Sequence, residues 1–434
     1  MEPAPQKLLI GQVVTFPEDP FMAGWDSARH DSRGAVLVDD GKISAVGTAD
    51  ELRGLHPGAD IHDYGSDLIL PGFVDAHVHY PQVGIIASWG KRLIDWLETY
   101  TFPEETRFSD PDFAAAQART FFDLSLRHGT TSVASYCTIH RESVDAFFAE
   151  AETRGMAVVA GKTCMDRNAP DGLRDTVQSA YDDSRKLLEK WHGRGRAQYA
   201  VTPRFSPTST REQLEALGTL WAEHPECLMQ THISEQVEEI DWVKDLFPEA
   251  RDYLDTYERA NLFGPRAMLG HAIHLTEREV ARVAETGASL VHCPTSNTFI
   301  GSGLFDLGRM KSKGISVGLA SDTGGGSSFS MLRTMAAAYE ISALKGRPAH
   351  AAELLWLATE GSARTMCMED RIGRLRPGND ADLVIVDLAS TPAIRQRHDR
   401  AQSIWEAVFP TIMMGDDRAI RDVRLKGEPV VLAS

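Results

Sequence analysis

Cysteine is scarce in the 434 residues, present only as Cys137, Cys164, Cys227, Cys293 and Cys367. The number is odd, the spacings are wide and no C-x-x-C pair occurs, which argues against both a disulfide framework and a thiolate zinc site. The thiols are expected to be reduced and mostly packed. No apolar run reaches about 18 residues, so no membrane-spanning helix is expected. The opening Met-Glu-Pro-Ala-Pro-Gln-Lys has neither the basic nor the apolar region of a signal peptide. A soluble, cytoplasmic protein is the expectation. Positive charge is in deficit as well: 45 Lys and Arg against 62 Asp and Glu leave a formal charge of −17. Without a Lys/Arg-rich stretch such a surface repels phosphates, which argues against nucleic acid and against a membrane-surface helix. The default partner is a small molecule. Low-complexity segments and short-period repeats are absent, and a hydrophobic content of 42% is that of a folded globular chain.

The chain is long enough for one large domain and a small one. From Lys7 to about Leu70 it is β-like, with apolar runs Leu8-Leu9-Ile10 and Ala35-Val36-Leu37-Val38. In Asp39-Asp40-Gly41-Lys42 an Asp-Gly pair joins two such runs, a strong hairpin signal. The C-terminal stretch has the same character around Leu383-Val384-Ile385-Val386, so both ends are expected to share one small sheet. Between them short apolar runs alternate with amphipathic stretches, the pattern of repeated βα units on a parallel sheet. Eight candidate strands cover residues 72–79, 131–137, 157–162, 197–204, 228–233, 267–272, 288–293 and 315–321. Eight is the number that closes a barrel. Leu214, Leu217, Leu220 and Trp221 fall on one helical face, and Gly155 suits a helix C-cap. The expected fold is therefore α/β, a (β/α)8 barrel over 71–370 with a small β domain assembled from 1–70 and 371–434.

In such a barrel the carboxyl ends of the strands form the active-site face. Here they carry His77 and His79 on the first strand, Arg204 on the fourth, His232 on the fifth, His271 on the sixth and Asp322 on the eighth. His77-Val78-His79 puts two imidazoles on one face of a strand, because side chains alternate with period two. The pair alone is weak: fifteen histidines scattered over 434 positions produce an H-x-H with an expectation of about one half. Three further candidate ligands, each at the end of another strand, make the difference. Imidazoles with a carboxylate suit zinc, and iron or manganese less exclusively, with an open position for water. Such a metal lowers the pKa of water towards about 7. Glu235, three residues after His232, is the natural proton carrier.

These motifs in this order resemble the metal-dependent amidohydrolase superfamily over nearly the whole chain. Pro71-Gly72-Phe73-Val74-Asp75-Ala76-His77-Val78-His79 is similar to its first-strand signature, and residues 373–384 to its return into the small β domain. The resemblance implies a distorted barrel with a composite β domain. Within the superfamily three segments resemble the guanine deaminase family: Gln82 in His79-Tyr80-Pro81-Gln82, the run from Trp96 to Pro103, and Arg204-Phe205. The fourth strand ends in Arg204, with no lysine to bridge two metals, which departs from the dinuclear hydrolases and fits the mononuclear deaminases. The resemblance implies hydrolysis of guanine to xanthine and ammonia at one zinc per subunit, in a homodimer. It assigns His77, His79, His232 and Asp322 to the metal. Asp322 and Glu235 handle protons, His271 steadies the attacking water, Gln82 and Arg204 bond the purine edge, and Phe205 lies against the ring.

Two other readings fit the same residues. One is a mononuclear aminohydrolase acting on a cytosine, pterin, triazine or 8-oxopurine; the other is a non-catalytic member of the fold used as an assembly module, which usually lacks metal ligands. His274, three residues beyond His271, could donate a hydrogen bond from behind the site, yet a packed or helix-capping histidine is as good a reading, and it is left out of the site. The segment from His292 to Asn297 resembles a family loop near the pocket, its plainer reading being a turn with satisfied hydroxyls, and Thr323-Gly324-Gly325-Gly326 is expected to be a flexible turn after Asp322. Trp89, Leu93, Trp96, Leu97 and Tyr100 share a helical face, for core packing or, by the resemblance, to cover the barrel mouth.

Overall fold

A computed structural model describes residues 6–89 and 92–431. Two sheets organise it. The small sheet has seven strands among the described residues, in the spatial order Glu428–Pro429, Ile420–Leu425, Leu383–Val386, Asp60–Pro71, Lys7–Thr15, Arg29–Asp39, Lys42–Thr48. Both ends of the chain thus meet in it, and the Asp40-Gly41 turn closes the expected hairpin, with Asp39 opposite Lys42. Gly41 has a φ of +74° and Asp40 one of +46°, the positive angles that such a two-residue turn requires.

The second sheet is the barrel. Its eight successive parallel strands are Phe73–His79, Thr130–Tyr136, Ala157–Gly161, Ala197–Pro203, Leu228–Ile233, Ala267–His271, Ser289–His292 and Val317–Leu319. Each lies within two residues of its expected bounds. A ninth, two-residue strand, Thr163–Cys164, escaped the sequence reading because it is an extra pairing beside Thr202 and Pro203. The ring is completed by backbone bonds between the first strand and the segment after the eighth: Asp322 N–H donates to His77 C=O at 3.0 Å and His79 N–H to Thr323 C=O at 3.0 Å. Small and β-branched residues, Val74, Ala134, Val159, Ala200, Val291 and Ala320, fill the barrel interior together with Met366, Met368 and Ile372.

Helices wrap the barrel as their apolar spacing requires. Leu214, Leu217 and Leu220 are buried on the helix Arg211–Glu223, and Gly155 caps the helix Arg141–Arg154 at a φ of +72°. All five cysteines are free; four are buried and Cys367 half-buried. Barrel and small sheet are joined by a buried ion pair in which Arg196 Nη1 donates to Asp382 Oδ1 at 3.1 Å, while Asp382 Oδ1 also accepts from Lys426 N–H at 3.0 Å. Among the described residues no helix is long and apolar enough to cross a membrane.

Candidate active site

The carboxyl ends of the strands bring His77, His79, His232, His271 and Asp322 together. His79 Nε2 and His232 Nε2 stand 3.1 Å apart, and Asp322 Oδ1 lies 3.4 Å from His77 Nε2 and 3.5 Å from His79 Nε2. Four ligands about 2.1 Å from one ion in a tetrahedron stand roughly 3.4 Å apart, so these spacings fit a single small cation. The nitrogens of His77, His79 and His232 converge within 4.8 Å of one another. His77 Nε2 is buried and has no hydrogen bond among the described residues, an arrangement that costs about 1–3 kcal/mol unless something takes its lone pair. His232 is oriented from behind: its Nδ1 lies 2.7 Å from the Arg204 carbonyl, so the proton sits there and Nε2 keeps its lone pair.

Electrostatics agree with a cation site. Burial, then the charge of neighbouring imidazoles, pushes His79 and His232 well below the usual histidine range, leaving both neutral and able to donate lone pairs. Burial works to raise the Asp322 carboxyl, but His77 and His271 overcome it and hold it down at about 2. Close packing supports the geometry as well. A Cβ on Gly270 would stand 2.7 Å from Cε1 of His77. Ser234, Ala272 and Asp322, which follow strand ends, and His271, the last residue of its strand, have positive φ of 49°, 49°, 51° and 66°. Such backbone costs of order 1–3 kcal/mol per residue and persists only where the surroundings impose it.

Around the cation site lie proton-handling groups. Glu235 Oε2 is 3.6 Å from His271 Nε2, and Asp322 Oδ2 is 3.8 Å from the same nitrogen. The other Glu235 oxygen accepts from Ser302 Oγ at 2.8 Å. Burial pushes the Glu235 carboxyl up, against the pull of His271. His271 goes the other way: burial would lower it, but the Glu235 and Asp322 carboxylates raise it. Its Nδ1 lies 2.9 Å from Asn297 Oδ1.

One cavity joins these groups to the three expected substrate residues, since Gln82, Arg204 and Phe205 line it alongside Glu235, His271 and Asp322. Arg204 is an ion-pair partner, but not on the surface: it is 4% exposed, and its Nη1 donates to Glu105 Oε2 at 2.7 Å. Gln82 Nε2 donates to the other oxygen of the same carboxylate at 2.9 Å. Glu105 was missed in the sequence; a glutamate on a short helix among Glu98, Glu104 and Glu105 carries no signal of its own, and only its place next to the Trp96 to Pro103 segment pointed there.

Several secondary expectations are corrected. Trp89 is 88% exposed and precedes the helix Leu93–Trp96, so the five-residue face is not continuous; Leu93, Trp96 and Leu97 do line the cavity. The stretch after His292 is not a simple turn but the helix Pro294–Phe299, and Ser296 Oγ has no hydrogen bond among the described residues. The glycine turn is packed rather than open: a Cβ on Gly324 would stand 2.1 Å from Gln82 Oε1. His274 stays outside the cavity, with Nε2 2.8 Å from the Ser302 carbonyl.

The amidohydrolase family profile matches residues 68–430, most of the chain. The chain belongs to the amidohydrolase family. A second profile, the imidazolonepropionase-like composite domain of bacteria, matches residues 34–59 in the small sheet. This amidohydrolase is 40% identical over 400 residues to the guanine deaminase of Escherichia coli (strain K12), covering 92% of this chain and 91% of that protein. It superposes on the E. coli guanine deaminase structure with a TM-score of 0.96 at 38% identity, over 99% of this chain and 100% of that one. A guanine deaminase from C. acetobutylicum, solved with guanine bound in its active site, matches at a TM-score of 0.90 and 27% identity, over 98% of this chain and 100% of that one.

Proposed function

We propose that this amidohydrolase deaminates guanine hydrolytically: guanine and water give xanthine and ammonia. The observation that carries the reading is the convergence of the purine-edge residues Gln82, Arg204 and Phe205 with Glu235, His271 and Asp322 in a single cavity. Relatives of similar length that are guanine deaminases support it.

His77, His79, His232 and Asp322 would hold the metal ion. When bound, the ion supplies Lewis acidity, bringing the pKa of water from 15.7 towards about 7. The protein's own groups move the protons. Asp322, held as a carboxylate at about 2, can accept a proton from the attacking water. Glu235 is pushed up by burial, which brings it nearer the working pH, where a group can both take and return a proton. It would deliver one proton of the water to the ring nitrogen beside the attacked carbon and then the second, taken up first by Asp322, to the exocyclic amine, which leaves as ammonia while the oxygen of the water becomes the new carbonyl. Ser302, bonded to Oε1 of Glu235, leaves Oε2 free to face the reacting centre. His271, drawn up by Glu235 and Asp322, orients the water. Leu93, Trp96 and Leu97 keep bulk water from the cavity.

The reading takes zinc as the metal, one ion per subunit, because a histidine-rich donor set favours it. It also takes a homodimer, a cytoplasmic location and a role in purine catabolism; metal analysis, sedimentation and cell fractionation test these. Substrate choice is tested by ammonia release from guanine, cytosine, a pterin, a triazine and 8-oxoguanine with zinc-loaded protein. Guanine should lead the panel by at least about 100-fold in kcat/KM; equal or faster release from another member would overturn the assignment.

A further inference from the structure

Glu105 stands behind the cavity wall, 1% exposed, on the helix Phe102–Thr106. One of its oxygens accepts from Gln82 Nε2 at 2.9 Å and the other from Arg204 Nη1 at 2.7 Å. The same helical turn lays Phe102 against Arg204, whose guanidinium carbon is 5.7 Å from the ring centre. Paired with a guanidinium, Glu105 is a carboxylate, which offers acceptors and no donor. The amide of Gln82 can then meet it only through its NH2 group. Gln82 Oε1 is left over as an acceptor, and among the described residues it takes no hydrogen bond. Arg204 keeps Nε and Nη2, which donate to nothing among the described residues.

We propose that Glu105 is a positioning residue that sets the polarity with which the cavity reads a purine edge: acceptor at Gln82, donor at Arg204. The inference rests on the guanine reading and deepens it. Guanine presents a donor, N1–H, beside an acceptor, O6, and complements that pair. 2,6-Diaminopurine carries the same 2-amino leaving group but presents an acceptor, N1, beside a donor, the 6-amino group. In the wild-type protein it meets acceptor with acceptor and donor with donor. A buried site left with unpaired polar groups rejects such an analogue strongly. Glutamine at position 105 can turn either its oxygen or its NH2 towards Gln82, which frees the Gln82 amide to turn over.

The experiment measures kcat/KM for guanine and for 2,6-diaminopurine in the wild-type protein, Glu105→Gln and Glu105→Met, with thermal unfolding and metal content alongside. The wild type should prefer guanine by at least about 100-fold. Both variants should lower that ratio by about tenfold or more. Looser anchoring of Arg204, which remains a donor in any orientation, raises KM for both substrates alike and leaves the ratio unchanged. A ratio unchanged in variants that fold and bind metal overturns the proposal. Should both variants fail to fold, the wild-type protein still puts the proposal at risk: a guanine to 2,6-diaminopurine ratio near one overturns it. Wild-type protein that releases no ammonia from guanine fails the functional reading itself, which is a different outcome from an unchanged ratio.

Discussion

At the scale of single residues, His77, His79 and His232 would only hold the cation, Glu235 would only move protons, and Asp322 would do both. Replacing His232 with alanine removes one of the converging nitrogens, so bound zinc should fall to less than about a tenth of the wild-type content. Glu235→Gln should keep a full complement of zinc and lose about 1000-fold in kcat, the scale of a general acid–base group. Metal analysis of both variants checks the assignment; zinc retained in His232→Ala would contradict it. Most of these residues were legible in the sequence because they gather at the carboxyl ends of strands, where chemistry-bearing types stand out against apolar runs. Glu105 was not legible. Its meaning comes from two partners, Gln82 and Arg204, that lie 23 and 99 positions away in the chain, and no local pattern encodes such a meeting.

At the scale of elements, two supports of the site can be tested without touching a reacting group. Gly270, near the end of the strand Ala267–His271, makes room for the His77 ring. Gly270→Ala should weaken zinc binding at least tenfold through displaced His77, while circular dichroism stays unchanged; unaltered zinc affinity would show that the ring can move aside. The second support is Glu239, which caps the helix Val237–Leu246 by accepting from Gln236 N–H at 3.1 Å and from Glu235 N–H at 2.8 Å. Burial, then the charge of Glu235, pushes its carboxyl up to about 7, above the unfolded value of about 4.3. A raised carboxyl contributes stability that is full below the unfolded value and lost as pH rises through the folded one. The unfolding free energy of wild type relative to Glu239→Gln should therefore fall by about 1–3 kcal/mol between pH 4.5 and 7.5. Parallel curves across that window would contradict this. Element identity was readable from periodicity, whereas the helix after His292 was not: the six residues Pro-Thr-Ser-Asn-Thr-Phe have a single large apolar side chain and no stripe to announce them.

At the scale of the whole molecule, the barrel carries the site and the small sheet ties both ends of the chain to it. The eightfold alternation of apolar runs and amphipathic stretches made the barrel readable, and similar β-like character at both ends made the shared sheet readable. The bond between the two bodies was not, since Arg196 and Asp382 are 186 positions apart. Asp382→Ala would leave a buried guanidinium with weaker compensation, and should cost about 3–5 kcal/mol of stability with little change in KM for the folded protein. Differential scanning calorimetry beside steady-state kinetics checks this, and an unchanged melting temperature would contradict it. The whole assembly of cavity, cation site and acid–base groups is tested directly by one measurement. Zinc-loaded protein incubated with guanine should yield xanthine and ammonia in equal amounts, with Glu235→Gln as the control. Release of neither product above that control would contradict the account.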